Sequence, residues 1–157
     1  MLAARRRFMA VTSLPLPASH PGPVFFNPPG LYDPRANGYS HVAVADTPAR
    51  LVLASGQGGE NERGELAGDF PSQLRQALDN VETALRGVHA GLGDIVRLQL
   101  LIVDHDETKL AHYSAEIARR WGEKRLAPAC TLIPVPRLAL DGMLVEIEAT
   151  AVLPLPR

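Results

Sequence analysis

The chain has 157 residues, 46% of them hydrophobic and 21% charged, with a formal net charge of -1. This length and composition predict one globular domain with a substantial core. They argue against nucleic acid as a main partner, because phosphate binding needs clustered Lys and Arg, and against a membrane span, which needs roughly 20 apolar residues. The single cysteine cannot form an intrachain disulfide, which favours a reducing, cytoplasmic location.

Proline dominates the first part of the sequence, where eight of the fourteen prolines lie at or before Pro48. Since each proline fixes φ and removes a backbone donor, we predict extended chain over residues 1–38. We assign residues 1–25 to an irregular Pro-rich arm and residues 26–157 to a single domain. RRRFM loosely resembles a twin-arginine export signal, but prolines interrupt the apolar segment that such a signal needs. An irregular arm, or translation from Met9, is the favoured interpretation.

Two short β-like runs come next in the chain. YSHVAVA and RLVLASG, separated by the turn-like residues 46–49, predict a β-hairpin. The polar, glycine-rich segment 56–69 predicts a loop. An amphipathic helix follows, ended by Gly91 and Gly93, because apolar residues recur there at three- and four-residue spacing. These residues are Phe70, Leu74, Ala77, Leu78, Val81, Leu85 and Val88.

The second half of the chain alternates between strand and helix patterns. DIVRLQLLIVD predicts a strand, with Val96, Leu98, Leu100 and Ile102 on one face. Asp104 and Glu107 have capping-box character and predict the start of a second helix, which ends at Gly122. CTLIPV and MLVEIEATAVL predict the last two strands. The second helix carries Leu110, Tyr113, Ile117 and Trp121 on one side, and the last strand carries Met143, Val145, Ile147, Ala149 and Ala151 on one face.

The predicted order ββ, α, β, α, ββ indicates an α+β domain with two helices packed on one face of a mixed sheet. No third helix is predicted for the other face, where Ile95, Leu101 and Val103 are apolar. A bare apolar sheet face is unfavourable in water, so we expect oligomerisation to cover it.

Two features of the last strands bear on chemistry. Glu146 and Glu148 share one face of the final strand, roughly 7 Å apart. Their apolar flanks would raise a carboxyl pKa and suit it to acid–base work, although alternating polar positions on a strand usually face water.

Cys130 begins an apolar strand, where a lone cysteine is usually a small buried hydrophobe. A nucleophilic role would require a base from elsewhere in the fold.

Other motifs are weak. SGQGG lacks the lysine and the register of phosphate-binding loops, so the end of a strand followed by a loop is favoured. The five histidines show no metal-ligand spacing. We predict no metal and no cofactor.

Five segments together resemble the Rid/YjgF family, also called L-PSP or reactive-intermediate deaminases. GYSHVAVA, LVLASGQ, QLRQALDNVETALRGVHAGLGDIVRL, PAC and VEIEATAV follow the family signature in order, over about residues 26–153. The resemblance implies a chorismate-mutase-like fold and a homotrimer whose sheets form an inner barrel, with a ligand cleft at each subunit interface. It also implies cofactor-independent hydrolysis of 2-imino and enamino acids to 2-keto acids and ammonia. The family has further been linked to ribonuclease and translation-inhibitor activity.

The resemblance carries over to individual positions. The family's ligand-binding tyrosine, its Ser-Gly-Gln and the first glutamate of its Glu-Ile-Glu-Ala match Tyr39, Ser55, Gly56, Gln57 and Glu146. The family motif Pro-Ala-Arg-Ser/Thr reads here Pro128-Ala129-Cys130-Thr131, so Cys130 stands where the family has its substrate-binding arginine. That arginine grips the substrate carboxylate through charge-assisted bonds of about 1.5–3 kcal/mol each. A thiol replaces neither its charge nor its reach. Other cations near in sequence are Arg35, Arg97 and Arg137.

Three hypotheses remain open. The first is an imine or enamine hydrolase for a different, uncharged substrate, with Glu146 orienting the water and weak or no activity on standard 2-imino acids. The second is a non-catalytic homotrimer that binds a small metabolite at the interface. The third is a functional Cys130, as nucleophile or redox sensor, which requires a lowered thiol pKa.

Overall fold

Two α-helices pack on one face of a mixed four-stranded sheet, as the sequence predicts. The computed structural model describes residues 22–122 and 126–155. The elements are β1 (Val24–Phe26), β2 (Val42–Val44), β3 (Ala49–Gly58), α1 (Phe70–Arg86), β4 (Ile95–Val103), α2 (Glu107–Trp121), β5 (Ala129–Val135) and β6 (Val145–Pro154). Strands β3, β6, β4 and β5 lie side by side in that order, with only the β4–β5 pair parallel.

The core lies between the two helices and this sheet. The inward face predicted for β6 is confirmed, because Val145, Ile147, Ala149 and Ala151 are each at most 3% exposed. They meet buried residues of β4, α1 and α2, including Leu98, Leu100, Ile102, Leu74, Leu78, Val81, Tyr113 and Ile117. Fully burying one large aliphatic side chain contributes about 1.5–3 kcal/mol. The alternating apolar residues of the strands therefore hold the helices in place.

The predicted hairpin of YSHVAVA with RLVLASG is wrong. β2 pairs with β1, through Val42 opposite Phe26 and Val44 opposite Val24, and β3 pairs antiparallel with β6. β3 and β6 are both ten residues long and share a long register, whereas β2 has only three residues. The long-range pairing therefore overrides the local turn signal at residues 46–49.

Helix α1 ends earlier than predicted. Its N-cap is Asp69, whose carboxylate accepts a hydrogen bond from the backbone N–H of Ser72. It ends at Arg86, and Gly87 donates its backbone N–H to the carbonyls of the last turn, so Gly91 and Gly93 lie beyond the helix. Val88 is therefore outside the apolar stripe and is 43% exposed.

Helix α2 begins at a different cap from the predicted Asp104. The carboxylate of Asp106 accepts the Lys109 backbone N–H at 2.8 Å, so Asp106 is the N-cap and Glu107 is the first helical residue. Asp104 has a φ of 48° and turns the chain after β4. Its backbone carbonyl accepts a hydrogen bond from Lys109 Nζ at 2.8 Å, which holds this turn. The predicted end at Gly122 is confirmed.

The sheet face away from the helices is only partly apolar but strongly exposed. A register shift near the start of β4 turns Ile95 into the core, where it is 0% exposed, so Ile95 does not lie on the outer face as predicted. Leu51, Leu53 and Ile133 do face outward, with exposed fractions of 61%, 72% and 37%. We call this surface the open face. It is the face that the sequence predicts to be covered by another subunit.

Most of the predicted arm lies outside the described residues, because residues 1–21 are not among them. The prediction of extended chain to residue 38 fits strand β1 but fails at its end, because Arg35–Asn37 form a 3-10 helix and Gly38 has a φ of 73°. In the part of the chain that is described, no helix is long and apolar enough to cross a membrane.

Candidate active site

Cys130 lies on the edge strand β5 and faces the helices, opposite Leu98 of β4. It lines a cavity of about 350 Å³ together with Asn37, Tyr39, His105, Leu110, Tyr113, Thr131 and Leu132. We call this the Cys130 cavity. Most of its lining is apolar or aromatic, and the described lining contains no Lys or Arg. Position 130 therefore carries a half-buried thiol among neutral neighbours.

Burial raises the pKa of the Cys130 thiol to about 11. A hydrogen bond with Tyr113 and the charge of Arg97 act in the opposite direction but are outweighed. The hypothesis of a reactive thiol requires a lowered pKa, and the shift here has the opposite sign.

We expect iodoacetamide to label Cys130 slowly at pH 7 and faster as pH rises towards 11, because only the thiolate reacts. Mass spectrometry of samples quenched between pH 6 and pH 11 would give the labelling rate, with free cysteine as the reference compound. A rate that reaches its plateau below the ordinary thiol pKa of about 8.5 would revive the reactive-thiol hypothesis.

Tyr39 connects this cavity to an aromatic cluster. The rings of Tyr32, Tyr39 and His41 meet edge to face, with His41 5.3 Å from Tyr32 and 5.4 Å from Tyr39 between centroids. The two tyrosine hydroxyls are hydrogen-bonded to each other. Burial, followed by this hydrogen bond, raises the pKa of Tyr39 to about 12. Its hydroxyl is therefore protonated at neutral pH and is suited to hydrogen bonding rather than to proton abstraction.

Glu146 lies on the open face of β6, paired with Leu101 of β4 and Gly58 of β3. Its carboxylate lies directly over the backbone of Gly56, where a Cβ atom would be 1.8 Å from Glu146 Oε1. Only glycine permits this approach. The absence of a side chain at Gly56 therefore allows the Glu146 carboxylate to lie against the backbone of β3.

The following glycines have the same kind of role. A Cβ on Gly58 would lie 2.3 Å from Glu60 Oε2, and one on Gly59 would lie 2.6 Å from the Cα of Gln73. SGQGG is thus the end of β3 followed by a loop, as predicted, and its glycines admit two carboxylates and helix α1. Gln57 turns its amide back to the Ser55 carbonyl at 3.0 Å.

The residues matched by the resemblance fall into two groups within the chain. Tyr39, Cys130 and Thr131 line the Cys130 cavity. Gly56, Gln57 and Glu146 line a second cavity of about 470 Å³, which we call the Glu146 cavity. Its other lining residues are Gly58, Glu60, Asn61, Glu62, Asn80, Ala139, Leu140 and Met143. Ser55 precedes this lining on β3, and the two cavities share no described residue.

Three arginines lie near the matched residues in the sequence, but none of them is among the described lining residues of the Cys130 cavity. Arg35 donates from Nε to Oδ1 and from Nη2 to Oδ2 of Asp33, and this two-pronged salt bridge lowers the pKa of Asp33 to about 2. Arg137 pairs with Asp141 at 3.3 Å. Arg97 donates to Gln99 Oε1 at 3.2 Å. Each cation is therefore held by another group.

Sequence reasoning missed several lining residues, above all His105 and Glu60. Nδ1 of His105 is the one buried side-chain nitrogen or oxygen without a hydrogen-bond partner among residues 22–122 and 126–155. The sequence signal that could have identified His105 is its position directly after β4 and the turn at Asp104. The described residues also contain no group of three His, Cys, Asp or Glu side chains arranged to hold a metal.

Sequence comparisons relate this chain to a protein family and to two named relatives. Residues 33–153 match a family model described as Endoribonuclease L-PSP. A 2-iminobutanoate/2-iminopropanoate deaminase of Escherichia coli is 33% identical over 105 residues, covering 65% of this chain and 79% of the relative. A RutC family protein of Haemophilus influenzae is 36% identical over 105 residues, covering 65% and 78%.

Solved structures share the architecture. A protein of unknown function of the conserved Rid family, YyfB from Yersinia pestis, has a TM-score of 0.77 at 34% identity, covering 84% of this chain and 99% of the other. The YjgF gene product of E. coli has a TM-score of 0.57 at 31% identity, covering 73% and 87%. These likenesses confirm the predicted α+β fold of two helices on a mixed sheet.

Proposed function

Since this chain belongs to the Rid/YjgF family, matched by the Endoribonuclease L-PSP model over residues 33–153, we propose that it hydrolyses an imine or enamine to a carbonyl compound and ammonia. The relatives with the matching deaminase names act on 2-iminobutanoate and 2-iminopropanoate. The observation that carries the proposal is the Glu146 carboxylate, held over Gly56 in an open cavity large enough for a small metabolite.

In the proposed reaction, Glu146 accepts a proton from a water molecule whose oxygen bonds to the imine carbon. The C=N bond becomes a single bond, and the nitrogen takes up a proton from solvent to give a carbinolamine. Glu146 then gives its proton to the nitrogen as the C–N bond breaks, so ammonia leaves, and the hydroxyl proton passes to solvent as the oxygen forms a carbonyl group. The reaction consumes one water molecule and needs no cofactor.

A homotrimer would complete the site. The open face exposes Leu51, Leu53 and Ile133, which is unfavourable for an isolated chain. The Cys130 cavity and the Glu146 cavity are also separate within one protomer. We therefore place the Cys130 cavity of one subunit against the Glu146 cavity of the next. Sedimentation velocity should show a species of about three times the 16.9 kDa chain mass. A monomeric protein would contradict the proposed cleft between subunits.

Standard 2-imino acids should be poor substrates, because the described lining of the Cys130 cavity has no Lys or Arg to hold their carboxylate. Ribonuclease activity is not favoured either. Three glutamates line the Glu146 cavity, and they would repel a phosphate backbone, which binds to clustered cations.

Ammonia release separates the proposed hydrolase from a binding protein. We expect butan-2-imine, generated in situ, to be hydrolysed faster with the protein than without it. This compound has the skeleton of 2-iminobutanoate with a methyl group in place of the carboxylate. Glu146→Gln should reduce the enzymatic part by at least about a hundredfold, as expected for loss of a general base.

The matched control is Glu82→Gln, because Glu82 lies outside both cavities and pairs with Arg86 and Arg120 on the helices. It should retain wild-type activity. If neither butan-2-imine nor 2-iminobutanoate is turned over, the chain is the non-catalytic metabolite-binding protein of the alternative hypothesis.

A further inference from the structure

The Glu146 cavity is lined by acidic residues without basic ones. Glu60, Glu62 and Glu146 all contribute to it, and its described lining contains no Lys, Arg or His. Asn61, Asn80 and Gln57 supply the remaining polar side chains. The electrostatic potential in this cavity is therefore negative.

These three carboxylates are not neutralised by neighbouring side chains. None of them forms a salt bridge with another residue of the ranges 22–122 and 126–155. By contrast, the nearby Glu65 pairs with Arg63 at 2.9 Å, and Asp141 pairs with Arg137 at 3.3 Å. Two of the three are also fixed in place. The carboxylate of Glu146 rests on Gly56 and that of Glu60 on Gly58. Oriented carboxylates without a cation partner are a binding arrangement for a positively charged group.

The described lining of the Cys130 cavity contains no Lys or Arg, and His105 is its one basic side chain. Burial raises the pKa values of Tyr39, Tyr113 and Cys130, so all three are neutral at pH 7. Arg97 is the charged residue with an electrostatic effect on Cys130. Its guanidinium is linked through Gln99 to Glu148, with hydrogen bonds of 3.2 Å and 3.1 Å along the open face.

We infer that the cleft selects an imine that carries no carboxylate and is bound as its protonated, positively charged form. The nitrogen would lie between Glu60 and Glu146, and an apolar substituent would occupy the Cys130 cavity, where the family places a carboxylate. Such iminium ions arise when primary amines, rather than amino acids, are oxidised. The inference rests on the proposed function, because it names the substrate class of that same cleft.

Three isosteric probes test the charge preference directly. Butyramidine is a planar cation at pH 7, butyramide is its neutral analogue and butyrate is its anionic analogue. We expect isothermal titration calorimetry of the full-length protein to give affinities that decrease in the order butyramidine, butyramide, butyrate. Glu60→Gln and Glu146→Gln should each weaken butyramidine binding about tenfold or more, with little effect on butyramide. Glu82→Gln, which lies outside both cavities, should leave all three affinities unchanged.

The result that overturns the inference is butyrate binding best, or none of the three probes binding at millimolar concentration. Butyrate binding that is lost in Arg97→Gln would identify Arg97 as a replacement clamp. The titration does not depend on turnover. Preference for butyramidine without hydrolysis of butan-2-imine would therefore uphold the charge selectivity and refute only the proposed reaction.

Discussion

Gly56→Ala is expected to lower kcat/KM for butan-2-imine by about a hundredfold while leaving the melting temperature nearly unchanged. The added Cβ would lie 1.8 Å from Oε1 of Glu146 and 2.6 Å from its Cδ. These atoms are at the end of a flexible side chain, so the fold accommodates the methyl group by moving the carboxylate. A displaced general base loses most of its contribution, which is typically 10²- to 10⁴-fold.

The controls separate this effect from general damage to the loop. Gly68→Ala should be neutral, because no described atom lies within 4 Å of the added Cβ. The double variant Gly56→Ala with Glu146→Gln should be no worse than Glu146→Gln alone, since both changes remove the same interaction. Additive losses, or full activity in Gly56→Ala, would show that the contact with Gly56 does not position a catalytic group.

Cys130→Arg is expected to create or raise activity on 2-iminobutanoate by at least about tenfold. The side chain at this position borders a cavity of about 350 Å³ beside Thr131 and Tyr39. A guanidinium there would offer two parallel hydrogen bonds to a carboxylate, each worth about 1.5–3 kcal/mol. The gain should appear mainly as a lower KM.

Cys130→Met is the matched control for this gain, because it lengthens the side chain without adding charge. It should leave 2-iminobutanoate as poor a substrate as it is for the wild type. Thermal unfolding of both variants shows whether the larger side chain is tolerated next to Tyr113, which is 2% exposed. Equal activity in the Arg and Met variants would mean that charge at position 130 does not govern the specificity.

The sequence predicts the fold well where one short-range pattern decides the structure. The period of two in β6 places Val145, Ile147, Ala149 and Ala151 inward, and all four are buried. The spacing of Leu74, Leu78, Val81 and Leu85 likewise gives the buried side of α1. In both cases a single face must leave water, so the hydrophobic pattern is sufficient.

The errors in the predicted fold arise where contacts between distant segments determine the structure. β2 and β3 carry local hairpin signals, but their partners, β1 and β6, are known only from the tertiary pairing. The shift at the start of β4 reverses the side of Ile95, and a period-two pattern contains no sign of such a shift. Asp104 and Asp106 both suit an N-cap, and the turn after β4 selects Asp106.

The prediction of the candidate site succeeds and fails for the same reasons. Resemblance identifies Tyr39, Gly56, Cys130 and Glu146 as positions of interest, whereas their geometry depends on the fold. The approach of Glu146 to Gly56 joins residues that are ninety positions apart in the chain. The charge of the Glu146 cavity also depends on Glu60, which lies in a loop whose sequence suggests only a polar connection.

The kcat/KM of the wild-type protein for 2-iminobutanoate, divided by that for butan-2-imine, tests the central claim most directly. With a neutral thiol at position 130 and carboxylates opposite, this ratio should be well below one, by about tenfold or more. A ratio above one would mean that the cleft grips a carboxylate after all, and it would contradict the assignment of Cys130 as the residue that changes the specificity.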